Sequence, residues 1–137
     1  MSVSIPDSHL DLLNDAVVVT LTTVSADNQP YSVAVWKRWD GEHLLITSDS
    51  GVRKHKNVLA NPQVSVMALD PKNPYRYISL GGVAEISEDK VVEELDRQTQ
   101  HYMGEPHYFG SQEPAEAEAS FKGIILKIRP TRVVTMG

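Results

Sequence analysis

The sequence predicts a small, mainly antiparallel β-barrel with peripheral helices, formed as one domain over residues 1–137. Three observations carry that expectation. β-Branched and alternating runs recur along the chain and are joined by short turns. Only one connection is both long and helical, so a parallel, doubly wound sheet fits badly. Finally, 137 residues with 41% hydrophobic content suffice for one core, and closing a hairpin-rich sheet on itself fills that core with side chains.

The elements follow in order. Residues 6–15, PDSHLDLLND, read as a short opening helix with Asp7 or Ser8 as its N-cap. Residues 16–25, AVVVTLTTVS, are β-branched almost throughout, which strands accept and helices disfavour. ADNQP then breaks the run as a turn. Residues 31–39, YSVAVWKRW, alternate: Tyr31, Val33, Val35 and Lys37 share one face, and Ser32, Ala34, Trp36 and Arg38 the other. Asp40-Gly41 signals a hairpin, with residues 43–47 as the returning strand. VRKHKNVLAN, residues 52–61, is a short helix stopped by Asn61-Pro62. Strands follow over residues 63–70 and 75–87, and Gly81-Gly82 marks a bulge or a close backbone approach. Residues 87–104 form the strongest helical pattern, with Ser87 as its cap, Val91, Val92, Leu95 and Tyr102 on one side, and the acidic run from Glu88 to Asp96 as its exposed face. Residues 103–120 read as a loop or a partly helical excursion, and residues 121–136 as one or two closing strands.

Composition excludes several function classes. Thirteen Lys and Arg against eighteen Asp and Glu give a formal charge of −5, which argues against nucleic-acid binding through a basic face. There is no cysteine, so disulfides, thiolate metal sites and cysteine nucleophiles are out. The N-terminal residues show no basic segment followed by an apolar run, and no stretch approaches the roughly 20 apolar residues of a membrane span. A cytoplasmic protein that binds neither nucleic acid nor membrane is the expectation. HYMGEPH brings His101, Glu105 and His107 close in sequence, but the spacing matches no common zinc pattern. No nucleophile elbow or P-loop occurs.

One local feature stands against the acidic background. Arg53, Lys54, His55 and Lys56 are consecutive and open a short helix after a strand and a Ser/Gly loop. The first N–H groups of a helix lack internal partners and its dipole is positive there, so added cations make an anion site suited to phosphate. A solvated helix face explains the same residues. The context extends the first reading: Thr47 and Ser48 end a strand, Lys37 lies near the end of its hairpin partner, and an alternating face of SVAVWK can lie along a flat apolar ring. A phosphate at one end and a conjugated ring along a strand describe a flavin-like ligand, whereas Val33, Val35 and Trp36 equally fit a plain core.

The segments VAVWKRWDG, LLITSDSGVRKHKNVLANPQVSVMALD and NPYRYISLGGVAEI, in that order and spacing, resemble the split β-barrel superfamily of pyridoxamine 5′-phosphate oxidase and the flavin- or deazaflavin-dependent oxidoreductases. The last segment most resembles the small branch whose coenzyme is the deazaflavin F420. The resemblance implies a pyridoxamine 5′-phosphate oxidase-like, FMN-binding fold. Its implied coenzyme contacts fall on Ser32, Val33, Val35, Trp36 and Lys37 of one strand and on Ile46, Thr47 and Ser48 of its partner. Arg53 and Lys54 take the phosphate, and Tyr77 is supplied across a homodimer interface. The oxidase pattern has Arg in place of Ser32 and Ser in place of Val52, and its C-terminal Arg/His substrate grip is not evident in IRPTRVVTMG, so vitamin B6 oxidation is disfavoured. The implied activity is hydride transfer between bound F420, or alternatively FMN, and a small conjugated substrate, with Lys37 near the ring's pyrimidine edge. A coenzyme carrier without turnover, and a binder of haem or another phosphorylated ligand, are the competing readings.

Overall fold

The computed structural model describes residues 3–137. Strands β1 (Val19–Val24), β2 (Pro30–Val35), β3 (Arg38–Trp39), β4 (Leu44–Asp49), β5 (Gln63–Asp70), β6 (Asn73–Ser87) and β7 (Gly123–Met136) form one curled sheet. Its order is β2-β1-β5-β6-β7-β4-β3, and every neighbouring pair is antiparallel. Helices α1 (Asp11–Asn14), α2 (Arg53–Ala60) and α3 (Val91–Met103) and 3-10 turns at Asp7–His9 and Ala115–Ser120 lie around it. The mainly β class and the barrel with peripheral helices are as the sequence predicts.

One expected strand is two. The alternating run over residues 31–39 breaks at Trp36 and Lys37, which separate β2 from β3. These are the two edge strands of the sheet. The chain therefore steps from one edge to the other, and the barrel is completed by covalent continuity instead of a hydrogen-bonded ladder. The cause is a competing partner: the Lys37 backbone N–H donates to the Tyr102 hydroxyl at 3.1 Å, outside any strand pairing.

Period-2 burial fills the interior. In β5, Val64, Val66 and Ala68 point inward while Ser65, Met67 and Leu69 are exposed. They join Leu21, Leu44, Ile46, Ile78, Leu80, Ile124, Leu126 and Ile128 in one core cluster, with Leu12 and Leu13 of α1 and Val58 of α2. The buried Asn57 of α2 donates from Nδ2 to Thr23 Oγ1 at 3.0 Å, which fixes the helix on β1. The N-terminal segment is tied down by polar contacts. His9 Nε2 donates to the Met136 carbonyl at 2.8 Å, so its Nδ1 is left to accept from Ser8. Arg76 binds Asp11 and Asp70 together and holds the Asp11 carboxyl below the ordinary range.

Helix α3 packs outside the barrel. Val91 meets Leu45 and Ile125 of β4 and β7, with Phe121 alongside. Two sequence expectations change here. Ser87 does not cap α3: it belongs to β6, its hydroxyl accepts from the Asp89 N–H, and the residue at the cap is Lys90, in a left-handed conformation at φ 56°. Nor is the acidic run wholly exposed, because Glu94 is only 6% exposed and takes Arg38 in a two-pronged ion pair at 2.8–3.1 Å.

The glycine pair does mark a bulge. The β6–β7 register slips between Gly81 and Gly82, where Gly81 faces Arg132 and Gly82 faces Pro130. Proline has no N–H for a ladder, so the slip is where a strand accepts it. A Cβ on Gly82 would lie 2.8 Å from both the Arg129 carbonyl oxygen and Ile128 Cγ2, whereas the atoms nearest to one on Gly81 belong to the Arg132 side chain, at 3.3 Å and beyond. Gly82→Ala is therefore expected to lose about 1–3 kcal/mol of unfolding free energy through overpacking against backbone. Gly81→Ala, whose neighbour can swing away, is expected to lose clearly less, both read from denaturant melts.

Candidate functional site

The seam opens into a cleft of about 910 Å³. One wall is Ala34, Val35 and Trp36, where β2 leaves the sheet, and the floor is Thr47, Ser48 and Asp49, where β4 ends. Ser50, Val52 and Lys54 close one end at the start of α2. Further lining comes from Leu95 and Gln98 of α3 and from Tyr108, Phe109, Glu113 and Phe121 of the segment that follows it.

Tyr102 of α3 creates the opening. Its hydroxyl donates to the Val17 carbonyl at 2.7 Å while accepting from the Lys37 N–H, and its ring stacks on Trp36 at 5.1 Å and 10°. Burial raises the phenol's pKa, so it remains a donor. The indole is thereby fixed as a flat surface in the cleft wall.

The α2 end is electropositive for two reasons. Val52 is the N-cap in an extended conformation, and no side chain caps the helix, so its first-turn N–H groups are left for an external acceptor. Lys54 reaches the cleft itself. Arg53 stands beside it, exposed, with its guanidinium 5.1 Å from the centre of the Tyr31 ring. Uncapped amides, an ammonium and the hydroxyl of Ser50 form a donor set that suits a phosphate. The apolar and aromatic wall beyond suits a flat ring, so the residues fit a coenzyme that combines the two.

This further lining is held by polar contacts. Gln98, 1% exposed, donates from Nε2 to the Leu45 carbonyl at 3.0 Å and to Glu94 at 3.1 Å. Its Oε1 has no partner among the described residues. Asp96 accepts from the Tyr108 N–H at 2.9 Å and meets His107 Nδ1 at 3.2 Å, which anchors the segment after α3. Phe109 is buried between Tyr108 and Phe121, with ring centres 5.2 Å from each.

Of the residues the sequence singles out, Val35, Trp36, Thr47, Ser48 and Lys54 line this cleft. Arg53 is adjacent to it. Val33 packs against the barrel core and Ile46 lies inside it. Ser32 is exposed beyond the cleft and bonds to Thr22 Oγ1 at 2.7 Å. Tyr77 stands on the outer face of β6, opposite Leu69 and Met136. Lys37 is placed differently from the expectation: it is 0% exposed, and Nζ donates to the Asp15 carbonyl at 2.5 Å, so its charge is used inside the fold. The sequence reading gives no site role to Leu95, Gln98, Tyr108, Phe109, Glu113 and Phe121. Their one signal is the cluster of aromatics in an otherwise polar stretch.

Burial brings the Lys37 ammonium down from its ordinary 10.5 to about 8, against a partial opposing pull from Asp15. The sign follows from linkage: between about pH 8 and 10 the unfolded chain holds the proton more tightly than the folded one, so stability rises with pH. Denaturant melts are expected to show that rise, at most about 1.4 kcal/mol per pH unit, and Lys37→Met is expected to abolish it.

Comparison with known proteins places this geometry. The profile of the pyridoxamine 5′-phosphate oxidase family matches residues 5–137. An F420 reductase structure is similar at 31% identity and a TM-score of 0.79, over 95% of this chain and 98% of that one. The conserved hypothetical protein Rv2991 from Mycobacterium tuberculosis is similar at 25% identity and 0.74, over 98% and 86%. Group A Streptococcus HupZ shares the fold at 20% identity and 0.68, over 96% and 94%. No match was found among curated proteins. With the curled antiparallel sheet, its seam cleft and a family match spanning nearly the whole length, the chain belongs to the pyridoxamine 5′-phosphate oxidase family.

Proposed function

We propose that this protein is an oxidoreductase that holds the deazaflavin F420, or alternatively FMN, in the seam cleft and acts on a small conjugated substrate. The observation that carries the reading is the uncapped, basic start of α2 at one end of a cleft walled by Val35 and Trp36. Likeness to an F420 reductase at 31% identity favours the deazaflavin.

When bound, the coenzyme supplies hydride transfer, and the protein's part is binding, orientation and exclusion of water. Lys54, Arg53 and the first amides of α2 hold the anionic tail. Lys54 can follow it as a point charge, and Arg53 adds a planar fork of donors. Trp36, immobilised on Tyr102, sets the plane of the ring, and the Thr47 hydroxyl is available to its edge, while the Ser48 hydroxyl donates to the Asp49 carbonyl at 3.1 Å and is left to accept. Phe109 and Phe121 exclude water from the cleft.

The functional unit in this reading is a homodimer. Pairing aligns Met67 with Ser79 and Val134, and Leu69 with Tyr77 and Met136, in two rows across one outer face. Met67, Leu69, Val134 and Met136 are exposed there, a patch of the kind that a partner covers. Exposed Val18 extends to the cleft lining, so a second copy seated on this face would complete the cleft wall. Val134→Glu is expected to yield monomers in sedimentation velocity while the wild type sediments as a dimer.

Parallel titration with F420 and FMN tests the coenzyme assignment. Lys54→Ala is expected to weaken binding of the preferred coenzyme on the order of 10- to 100-fold, the contribution of one or two charge-assisted hydrogen bonds. An unchanged affinity, or no binding of either coenzyme to the wild type, overturns the reading.

A further inference from the structure

Tyr108 stands out because everything about it is fixed except its hydroxyl. Its N–H donates to Asp96 Oδ1 at 2.9 Å. Its carbonyl accepts from the amides of Ser111, Gln112 and Glu113 at 3.2, 2.9 and 3.2 Å. Its ring meets the buried Phe109 edge-on, with centroids 5.2 Å apart and planes at 81°. The side chain is half-buried and lines the cleft, yet Oη has no hydrogen-bond partner among the described residues. A tyrosine brought so firmly to a cleft wall, with its polar tip unused, is preorganised for a ligand.

We propose that Tyr108 determines substrate specificity: its Oη donates a hydrogen bond to an acceptor oxygen, of carbonyl or nitro type, conjugated to the unsaturated system of the substrate. The choice of a conjugated molecule rests on the oxidoreductase reading above; the donor role rests on the cleft alone. Desolvation, followed by the carboxylates of Glu113 and Asp49, pushes the phenol above its ordinary 10, so it stays protonated and donates throughout the neutral range. The same carboxylates line the cleft and disfavour an anionic substrate there. Tyr108 and Trp36 line the same cleft, so one ligand can reach both the indole and Oη.

The test uses two probes of nearly one shape, acetophenone and α-methylstyrene, which differ by C=O against C=CH2. Equilibrium binding of each is measured by ligand-observed NMR on wild type and Tyr108→Phe, with and without added F420 or FMN. The wild type is expected to prefer the ketone by roughly 3- to 10-fold beyond the preference of Tyr108→Phe, the contribution of one net hydrogen bond. Coenzyme affinity and melting temperature are expected to be the same in both proteins. An equal ketone preference in the two overturns the proposal. So does a coenzyme affinity that falls several-fold in Tyr108→Phe, which would make the coenzyme the hydroxyl's partner. Because the ratio is also measured without coenzyme, failure of the coenzyme titration alone removes the oxidoreductase reading and leaves the donor role to be judged on the ratio.

Discussion

The structure depends on one hydroxyl placed between two backbone groups. Tyr102 Oη takes the Lys37 N–H and gives its own hydrogen to the Val17 carbonyl. Those two groups stand where β2 ends and β1 is about to begin, and neither is in a strand. A continuous strand over residues 31–39 would demand that Lys37 pair along a ladder. Tyr102 satisfies it instead, and a buried amide so satisfied has no reason to seek another partner. The chain can then cross from one sheet edge to the other, and the gap left at the crossing is the cleft. The Trp36–Tyr102 stack is part of the same arrangement, because a ring whose hydroxyl is bound at both sides has little freedom to turn.

Much of the barrel was legible because its signals are local. β-Branched runs and period-2 alternation specify strands wherever one face is buried, and β4, β5 and β6 fall within a residue or two of where the pattern puts them. Gly81-Gly82 announced a bulge that packing does require. Thr47, Ser48 and Lys54 were legible as a converging rim because strand ends and a helix start meet there. What could not be read was decided by long-range partners. Lys37 reads as a coenzyme contact until the carbonyl of Asp15, 22 positions earlier, receives it. Glu94 looks like part of an acidic surface until Arg38, 56 positions away, forks onto it. The stretch after α3 lacks any periodicity, and its aromatics gain a role only because Asp96 folds them back over the cleft.

These partners share a physical logic. Helix α3 has a small apolar footprint: Val91 on Leu45 and Ile125, with Phe121 at its margin. Hydrophobic contact is non-directional, and a patch that size would leave the helix free to slide by fractions of a turn. Three polar contacts remove that freedom. Near one end of the helix Glu94 receives Arg38; Gln98, one turn on, reaches the Leu45 carbonyl; and Tyr102, a further turn on, spans Val17 and Lys37. The residues are spaced four apart, so they form a single stripe down the helix. Hydrogen bonds of 2.7–3.1 Å along that stripe fix both rotation and translation.

That stripe also explains why polar groups are buried beside a cleft that otherwise wants to be dry. An unpaired member would cost more than an apolar replacement, so such an array is stable only when nearly complete. Here it is complete but for one atom, Gln98 Oε1. The amide cannot simply be turned over to repair this, because both groups facing its other end, the Leu45 carbonyl and the Glu94 carboxylate, are acceptors and hold the NH2 there. The protein therefore fixes α3 with the donor end of Gln98 and leaves its acceptor end unmatched. Positional precision at the cleft wall is what the unmatched oxygen is exchanged for: a leucine there would remove the orphan and, with it, the contact that registers α3 against β4.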